Sequence, residues 1–396
     1  MTGSTGEPRR ARPPYPAFAK LRATYRGTAV VLLNVAILLV ALEVVMTAAV
    51  ALARRDPLRD WIAGATGRPN DVIAHYRQLS YYQEQPWSER YWDEHRAALA
   101  QVYRPYVVWR SPPFAGETLN IDEAGRRVTP GDRCGQGAYE VWTFGGSAMW
   151  GWGAPDWETL PAHLQRLLAA ARGGPVCVVN LAENAHVSTQ GLIQLVLELQ
   201  RGGQPDLVLF YDGVNDVLAA LQTGRPADHQ NLSDIAHRFD SPGATWGGLL
   251  RRTHTAQVVG WLARRARGSA NDTGGADGAH LPPDPDRLAD AVAQTYLVNL
   301  HAAESLAERF GFELAFFWQP HILIGDKPLA PEERDLVDRL SWVLEITPRH
   351  RALFEGVHQR VAESAAAEAR LQDLAGVFDG LDSPVWIDTW GHATPV

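Results

Sequence analysis

Three short motifs far apart in the chain carry residue types that together could perform acyl transfer. They are Gly145-Gly146-Ser147-Ala148-Met149-Trp150-Gly151, Asp212-Gly213-Val214-Asn215-Asp216 and Asp388-Thr389-Trp390-Gly391-His392. The first offers a serine nucleophile, the second an amide side chain, and the third a histidine base with a carboxylate four residues before it. Attack by a serine hydroxyl on an ester needs these parts: a nucleophile, a base, an acid that orients the base, and donors for the oxyanion.

Taken singly, each motif is weak. Gly-Gly-Ser is more often a plain loop, although Gly145 and Gly146 allow a tight turn and close substrate approach. The first motif is not the G-x-S-x-G elbow of α/β-hydrolases, because Met149 stands where the last glycine would be. Asn215 is equally readable as a turn or helix-cap residue. His321, in Gln319-Pro320-His321, and His186 are weaker candidates for facing a substrate, and Glu183 reads as a solvated or capping side chain. The histidines have no metal-ligand spacing, and no phosphate-binding or dinucleotide glycine motif occurs, so the expectation is no metal and no cofactor.

The elements that must position these residues alternate in type. Strand-like runs are expected at Tyr139–Phe144, Pro175–Asn180, Asp206–Tyr211, Glu313–Trp318 and Val385–Asp388. Helical periodicity is expected at Glu158–Ala171 through Leu160, Leu164, Leu167 and Leu168, at Ser188–Arg201, at Arg287–Phe310 and over about Pro331–Ala375. Continuous apolar strands between helices imply a parallel sheet covered on both faces. Such sheets bind ligands beyond the carboxyl ends of their strands. Ser147, Asn180 to Ala185, Asn215, Gln319 to His321 and Asp388 to His392 all follow strand ends, so five strands deliver polar groups to one rim.

Thr28 to Ala53 is almost wholly apolar, and its 26 residues span roughly 39 Å as a helix, enough to cross a bilayer. Arg9, Arg10, Arg12, Lys20, Arg22 and Arg26 precede it, which predicts a cytoplasmic N-terminus and a C-terminal domain outside. The rival is a cleaved signal peptide ending near Ala51-Leu52-Ala53, but the apolar stretch is too long for an ordinary h-region. Glu43 within it reads as a protonated or snorkelling side chain, or as a helix–helix contact. Residues 1–55 hold eight Arg/Lys and two Glu, so the chain total of −8 leaves −14 for the remainder. That acidity argues against a nucleic-acid partner. Two cysteines exclude a disulfide scaffold; Cys177 sits in an apolar run, and a Cys134–Cys177 bridge is compatible with the sequence without being fixed by it.

The expected organisation is a disordered cytoplasmic tail over 1–27, a transmembrane signal-anchor over 28–53, an aromatic-rich stalk or cap over 54–104, and an α/β domain over 105–396 with a flexible loop at 268–286.

The order and content of these motifs resemble the SGNH/GDSL hydrolase superfamily, and especially its bacterial membrane-anchored members with a Gly-Gly-Ser first block. The resemblance runs from about Pro105 to the C-terminus and includes the lead-in Asn120-Ile121-Asp122-Glu123-Ala124-Gly125-Arg126-Arg127. It implies a flavodoxin-like three-layer α/β/α fold with a parallel sheet, preceded here by one transmembrane helix. It further implies Ser147 as nucleophile, His392 as base, Asp388 as acid, and Asn215 with the backbone N–H groups of Ser147 and Ala185 as oxyanion donors. Gly146 would lie beside the substrate. Three departures stand out: Ala185 occupies a family glycine position, Asp388 and His392 are one residue further apart than the usual Asp-x-x-His, and the chain ends four residues after His392 where relatives continue into a helix. The implied activity is hydrolysis of a small-molecule or glycan acyl ester at the membrane surface. The alternatives are acyl transfer or deacetylation on a cell-surface polysaccharide, or a degenerate protein that keeps the fold to bind a partner.

Overall fold

The computed structural model describes residues 16–53, 72–131, 135, 137–232, 235–236, 255, 284–339 and 348–395. It divides into two compact units, Met1–Asn70 with Ser241–Ala270, and Asp71–Asp240 with Asn271–Val396.

In the first unit one helix, α1, runs Pro16–Ala53. Residues 16–27, expected as disordered tail, are therefore helical. Within α1, Tyr25–Ala48 is long and apolar enough to cross a membrane. Glu43 is satisfied by the chain itself: its Oε2 accepts from the Thr255 N–H at 3.1 Å and from the Thr255 hydroxyl at 2.8 Å. The expected loop at 268–286 lies almost wholly outside the described residues, and the helix after it begins at Pro285.

The second unit is built on five parallel strands: β1 Tyr139–Gly145, β2 Val176–Asn180, β3 Leu207–Asp212, β4 Glu313–Trp318 and β5 Leu371–Asp373. Their order is β2-β1-β3-β4-β5, which is the flavodoxin-like order. Alternation along the strands divides the apolar residues between two faces. Trp142, Phe144, Val208, Phe210, Leu314, Phe316 and Trp318 enter one core, which also holds helices α2 Ser188–Gln200, α3 Val214–Thr223, α4 Pro285–Phe310 and α5 Pro348–Ala365. The rings of Phe144, Phe210 and Phe316 stack across β1, β3 and β4 at 4.9 and 4.3 Å. Val141, Val176, Val178 and Leu209 enter the other face, under the helix Leu160–Arg172. Of the apolar stripe expected on that helix, Leu164 and Leu168 pack inward, whereas Leu160 and Leu167 are exposed.

One strand differs from expectation. The fifth strand is Leu371–Asp373, and Val385–Asp388 is not in the sheet. Residues 385–394 instead fold back on themselves: Trp386 bridges Ala393, the Ile387 N–H donates to the His392 carbonyl, and the Thr394 N–H to the Val385 carbonyl. Leu371-Gln372-Asp373 is too short and polar to announce itself as a strand.

The aromatic segment packs on the sheet unit. From Asp71 onward it belongs to the same compact unit as the sheet. Tyr76, Tyr82, Tyr91 and Trp92 are buried in a core shared with Met149, Trp150 and Ile387. Arg127 locks this region to the loop after Ser147. Its guanidinium donates to the carbonyls of Gly151 and Ala154, each at 2.6 Å, pairs with Asp156 at 3.0 Å, and lies over the Trp150 ring. With both ion-pair partners buried, Arg127→Ala strands a carboxylate and two carbonyls; it is expected to lower the unfolding free energy by about 3–5 kcal/mol, read by urea denaturation.

Candidate active site

The first two motifs sit where a strand ends, and the third lies on a segment that folds back outside the sheet. β1 finishes at Gly145, and Ser147 opens the short helix Ser147–Trp150. The first N–H groups of a helix have no acceptor within it, and the Ser147 N–H makes no backbone hydrogen bond among the described residues. β3 finishes at Asp212, and Asn215 lies in the first turn of α3. The folded-back 385–394 segment carries Asp388 and His392.

Ser147 Oγ lies 2.6 Å from His392 Nε2, and His392 Nδ1 lies 2.5 Å from Asp388 Oδ2. For His392 to accept the serine proton, Nδ1 carries the ring hydrogen and donates it to Asp388. The unusual spacing is absorbed by the loop. Asp388 Oδ1 accepts the N–H groups of Trp390 at 2.9 Å and His392 at 3.2 Å. Gly391 takes φ 87°, which turns the chain so that the imidazole returns to the carboxylate that precedes it. Burial would raise the Asp388 carboxyl, but the His392 charge and the bonds from His392, Tyr76 and Trp390 outweigh it and hold it below the ordinary value. That contribution to stability is present above the unfolded carboxylate value and is lost only as pH falls through the lower folded one. Trp152 stacks on the imidazole, with ring centroids 5.0 Å apart and planes at 10°.

Asn215 is fixed at both ends of its amide. Nδ2 donates to the His186 carbonyl at 2.9 Å, and Oδ1 accepts from Gln230 Nε2 at 2.9 Å. These partners settle which way the amide points and leave one Nδ2 hydrogen for a ligand. Gly146 is required by this arrangement, since a Cβ there would stand 2.0 Å from Asn215 Nδ2. Ala185 adopts φ 61°, the left-handed conformation that a glycine takes without strain, and its N–H makes no backbone hydrogen bond among the described residues. Asp216 anchors the same turn by accepting from the Ser188 N–H and hydroxyl. Burial and its neighbour Asp216 push the Asp212 carboxyl well above its ordinary value.

The weaker candidates are placed elsewhere. His186 is buried, its Nε2 donates to the Trp109 carbonyl at 3.2 Å, and burial lowers it to about 3; what it gives the site is its carbonyl. His321 is fully buried and lowered by burial to about 4. Its Nε2 donates to the Thr389 carbonyl at 3.1 Å and its Nδ1 accepts the Leu323 N–H, so it supports the histidine loop from behind. Glu183 is neither solvated nor a cap. It is completely buried beside Arg110 and accepts from Ser111 and Asn184. A cavity of about 590 Å3, lined by Arg104, Tyr106, Arg110, Glu198 and Arg201 among others, includes none of these groups.

Tyr76, Trp152 and Gln230 are the site residues that sequence reasoning missed. Each partners a motif residue, Asp388, His392 or Asn215, but itself lies in no recognisable motif, and only the density of aromatics around Tyr76 pointed to its segment.

No family model and no curated protein matches the sequence. Solved structures do. A carbohydrate acetylesterase family member from Sinorhizobium meliloti is 12% identical, with a TM-score of 0.34 and coverage of 65% of this chain and 90% of that one. The acetyl xylan esterase AlAXEase is 12% identical, with a TM-score of 0.32 over 65% of this chain and 92% of that one. AlinE4, an SGNH-hydrolase family esterase, is 18% identical, with a TM-score of 0.23 over 59% of this chain and 95% of that one. What the chain is similar to, across these structures, is a set of esterases that includes the SGNH type.

Proposed function

We propose that the protein is a serine esterase of SGNH type, anchored in a membrane by α1 with its α/β unit on the extracytoplasmic side. The observation that carries the chemistry is the continuous relay from Ser147 Oγ through His392 to Asp388, at 2.6 and 2.5 Å. Ser147 Oγ attacks the acyl carbonyl while its proton passes to His392 Nε2. The oxyanion is held by the remaining Asn215 Nδ2 hydrogen and by the N–H groups of Ser147 and Ala185. Collapse of the adduct expels the alcohol oxygen, which takes the proton from His392. Water then attacks the acyl-serine, gives a proton to His392, and the acid leaves as Ser147 regains its hydrogen. Asp388 orients the imidazole and stabilises its charge.

Placement outside the cytoplasm is supported by the basic residues before α1 and by Cys177, which is disulfide-bonded; the only other cysteine in the sequence, Cys134, lies outside the described residues. The same residues would transfer the acyl group to a sugar hydroxyl in place of water. Product analysis with an acyl donor and a glycan acceptor separates the two.

A fluorophosphonate probe tests the nucleophile directly. The folded full-length chain is expected to take up one equivalent, with the adduct on the peptide containing Ser147 and none in Ser147→Ala. Absence of labelling in folded wild type, or labelling elsewhere, overturns the proposal.

A further inference from the structure

We propose that Tyr76 is a positioning residue of this centre, whose hydroxyl sets Asp388 and through it His392. The inference rests on the esterase reading above. Tyr76 ends the short helix Val72–Tyr76 and is fully buried. Its hydroxyl donates to Asp388 Oδ2 at 2.7 Å, across 312 positions of sequence. The same oxygen receives His392 Nδ1, while Oδ1 is taken by two backbone N–H groups. Both oxygens are thus held, and the carboxylate cannot rotate away from the imidazole without breaking a bond at each end.

The donor is itself rigid. The Tyr76 ring stacks on Trp92 at 4.7 Å, and Trp92 meets Tyr82, Tyr91 and His95 edge-on. Burial, reinforced by the Asp388 charge, pushes the phenol well above its ordinary value. It therefore remains a neutral donor throughout the working range and never competes for the proton that His392 carries. The bond does two things of opposite sign. It fixes the carboxylate, which favours turnover. It also draws negative charge from Asp388, which weakens its pull on the imidazolium. Losing the hydroxyl should lower kcat and move the acidic limb of the pH–rate profile to higher pH. A merely structural aromatic would show neither effect together with an unchanged KM.

Other titratable groups face this pocket. His75 and His321 feel the Asp388 charge, and His95 feels His392; burial lowers all three, so each stays neutral further into acid than an ordinary imidazole.

The test compares Tyr76→Phe with Trp92→Phe in the full-length chain. Tyr76→Phe is expected to cost about ten-fold or more in kcat, since one hydrogen bond to a charged group is lost. KM should change by less than about two-fold, and the limb should rise by roughly half a pH unit. Trp92→Phe removes packing but leaves the hydroxyl, and is expected to lower Tm while leaving the limb in place. The downfield proton resonance of the His392–Asp388 bond gives a readout independent of turnover, and is expected to move in Tyr76→Phe alone. An unchanged limb and an unmoved resonance in Tyr76→Phe overturn the inference while an active wild type leaves the esterase reading standing. A moved resonance in a chain without esterase activity does the reverse. Should Tyr76→Phe fail to fold, Trp92→Phe decides: a limb that shifts with packing alone overturns the proposal.

Discussion

Ser147→Ala is expected to abolish turnover of p-nitrophenyl acetate, by about 10⁴-fold or more in kcat, while leaving the fold intact. The size follows from the chemistry. The alanine removes the only oxygen that, among the described residues, is placed against His392 Nε2, so no covalent acyl intermediate can form and the imidazole has no proton to take. What survives is the electrostatic contribution of the oxyanion donors to a slow direct attack by water. The small effect on stability follows from the contacts. Ser147 is only half-buried, and among the described residues its hydroxyl makes a single side-chain hydrogen bond, to His392. The variant should therefore unfold within about 1 kcal/mol of wild type. The two measurements together are needed, because a loss of activity with a loss of fold would say nothing about the nucleophile. Turnover retained within about ten-fold of wild type would remove Ser147 from the mechanism.

The sheet was readable in the sequence because its strands are buried on both faces. Three of the five, β2, β3 and β4, are nearly continuous apolar runs, and the helices between them show a 3.6-residue repeat. The placement of Ser147 and Asn215 was readable for a related reason: in an open parallel sheet the chain leaves every strand at the same rim. Asp388 and His392 were read from their motif alone, because the segment before them is not a strand of the sheet. The failures share a different cause. β5 is specified by its place beside β4 and not by its own composition, and the segment Val385–Asp388, apolar enough to look like a strand, uses its backbone to pair with residues 392–394. His186 and His321 looked like substrate contacts because histidine near a rim invites that reading. Burial decides against it, since both rings are buried, each is bonded to a backbone carbonyl, and burial lowers both imidazoles. The aromatic segment was legible as something packed on the domain. That one of its tyrosines reaches Asp388 depends on a contact 312 positions long, and no local pattern encodes such a contact.

Asn215→Ala is expected to lower kcat by about 10²–10³-fold with little change in KM, because the lost donor is used mainly when charge develops on the carbonyl oxygen. The geometry supplies a second route to the same result. Asn215 Nδ2 is held by the His186 carbonyl, and Oδ1 by Gln230, so the amide has no freedom to retreat. A methyl group at Gly146 would stand 2.0 Å from Nδ2, and relieving that overlap must break one of these bonds or displace the donor from the oxyanion. Gly146→Ala should therefore approach the kcat of Asn215→Ala even though it removes no functional group. The double variant should lose little more than either single one, since both delete the same interaction. If the two losses multiply, Gly146 acts on substrate access and not through Asn215. If Asn215→Ala retains near-wild-type kcat, the oxyanion is held by the backbone N–H groups alone. In that case Ala185, the one non-glycine residue of the 180–186 loop in the left-handed conformation at φ 61°, becomes the position whose strain is spent on catalysis.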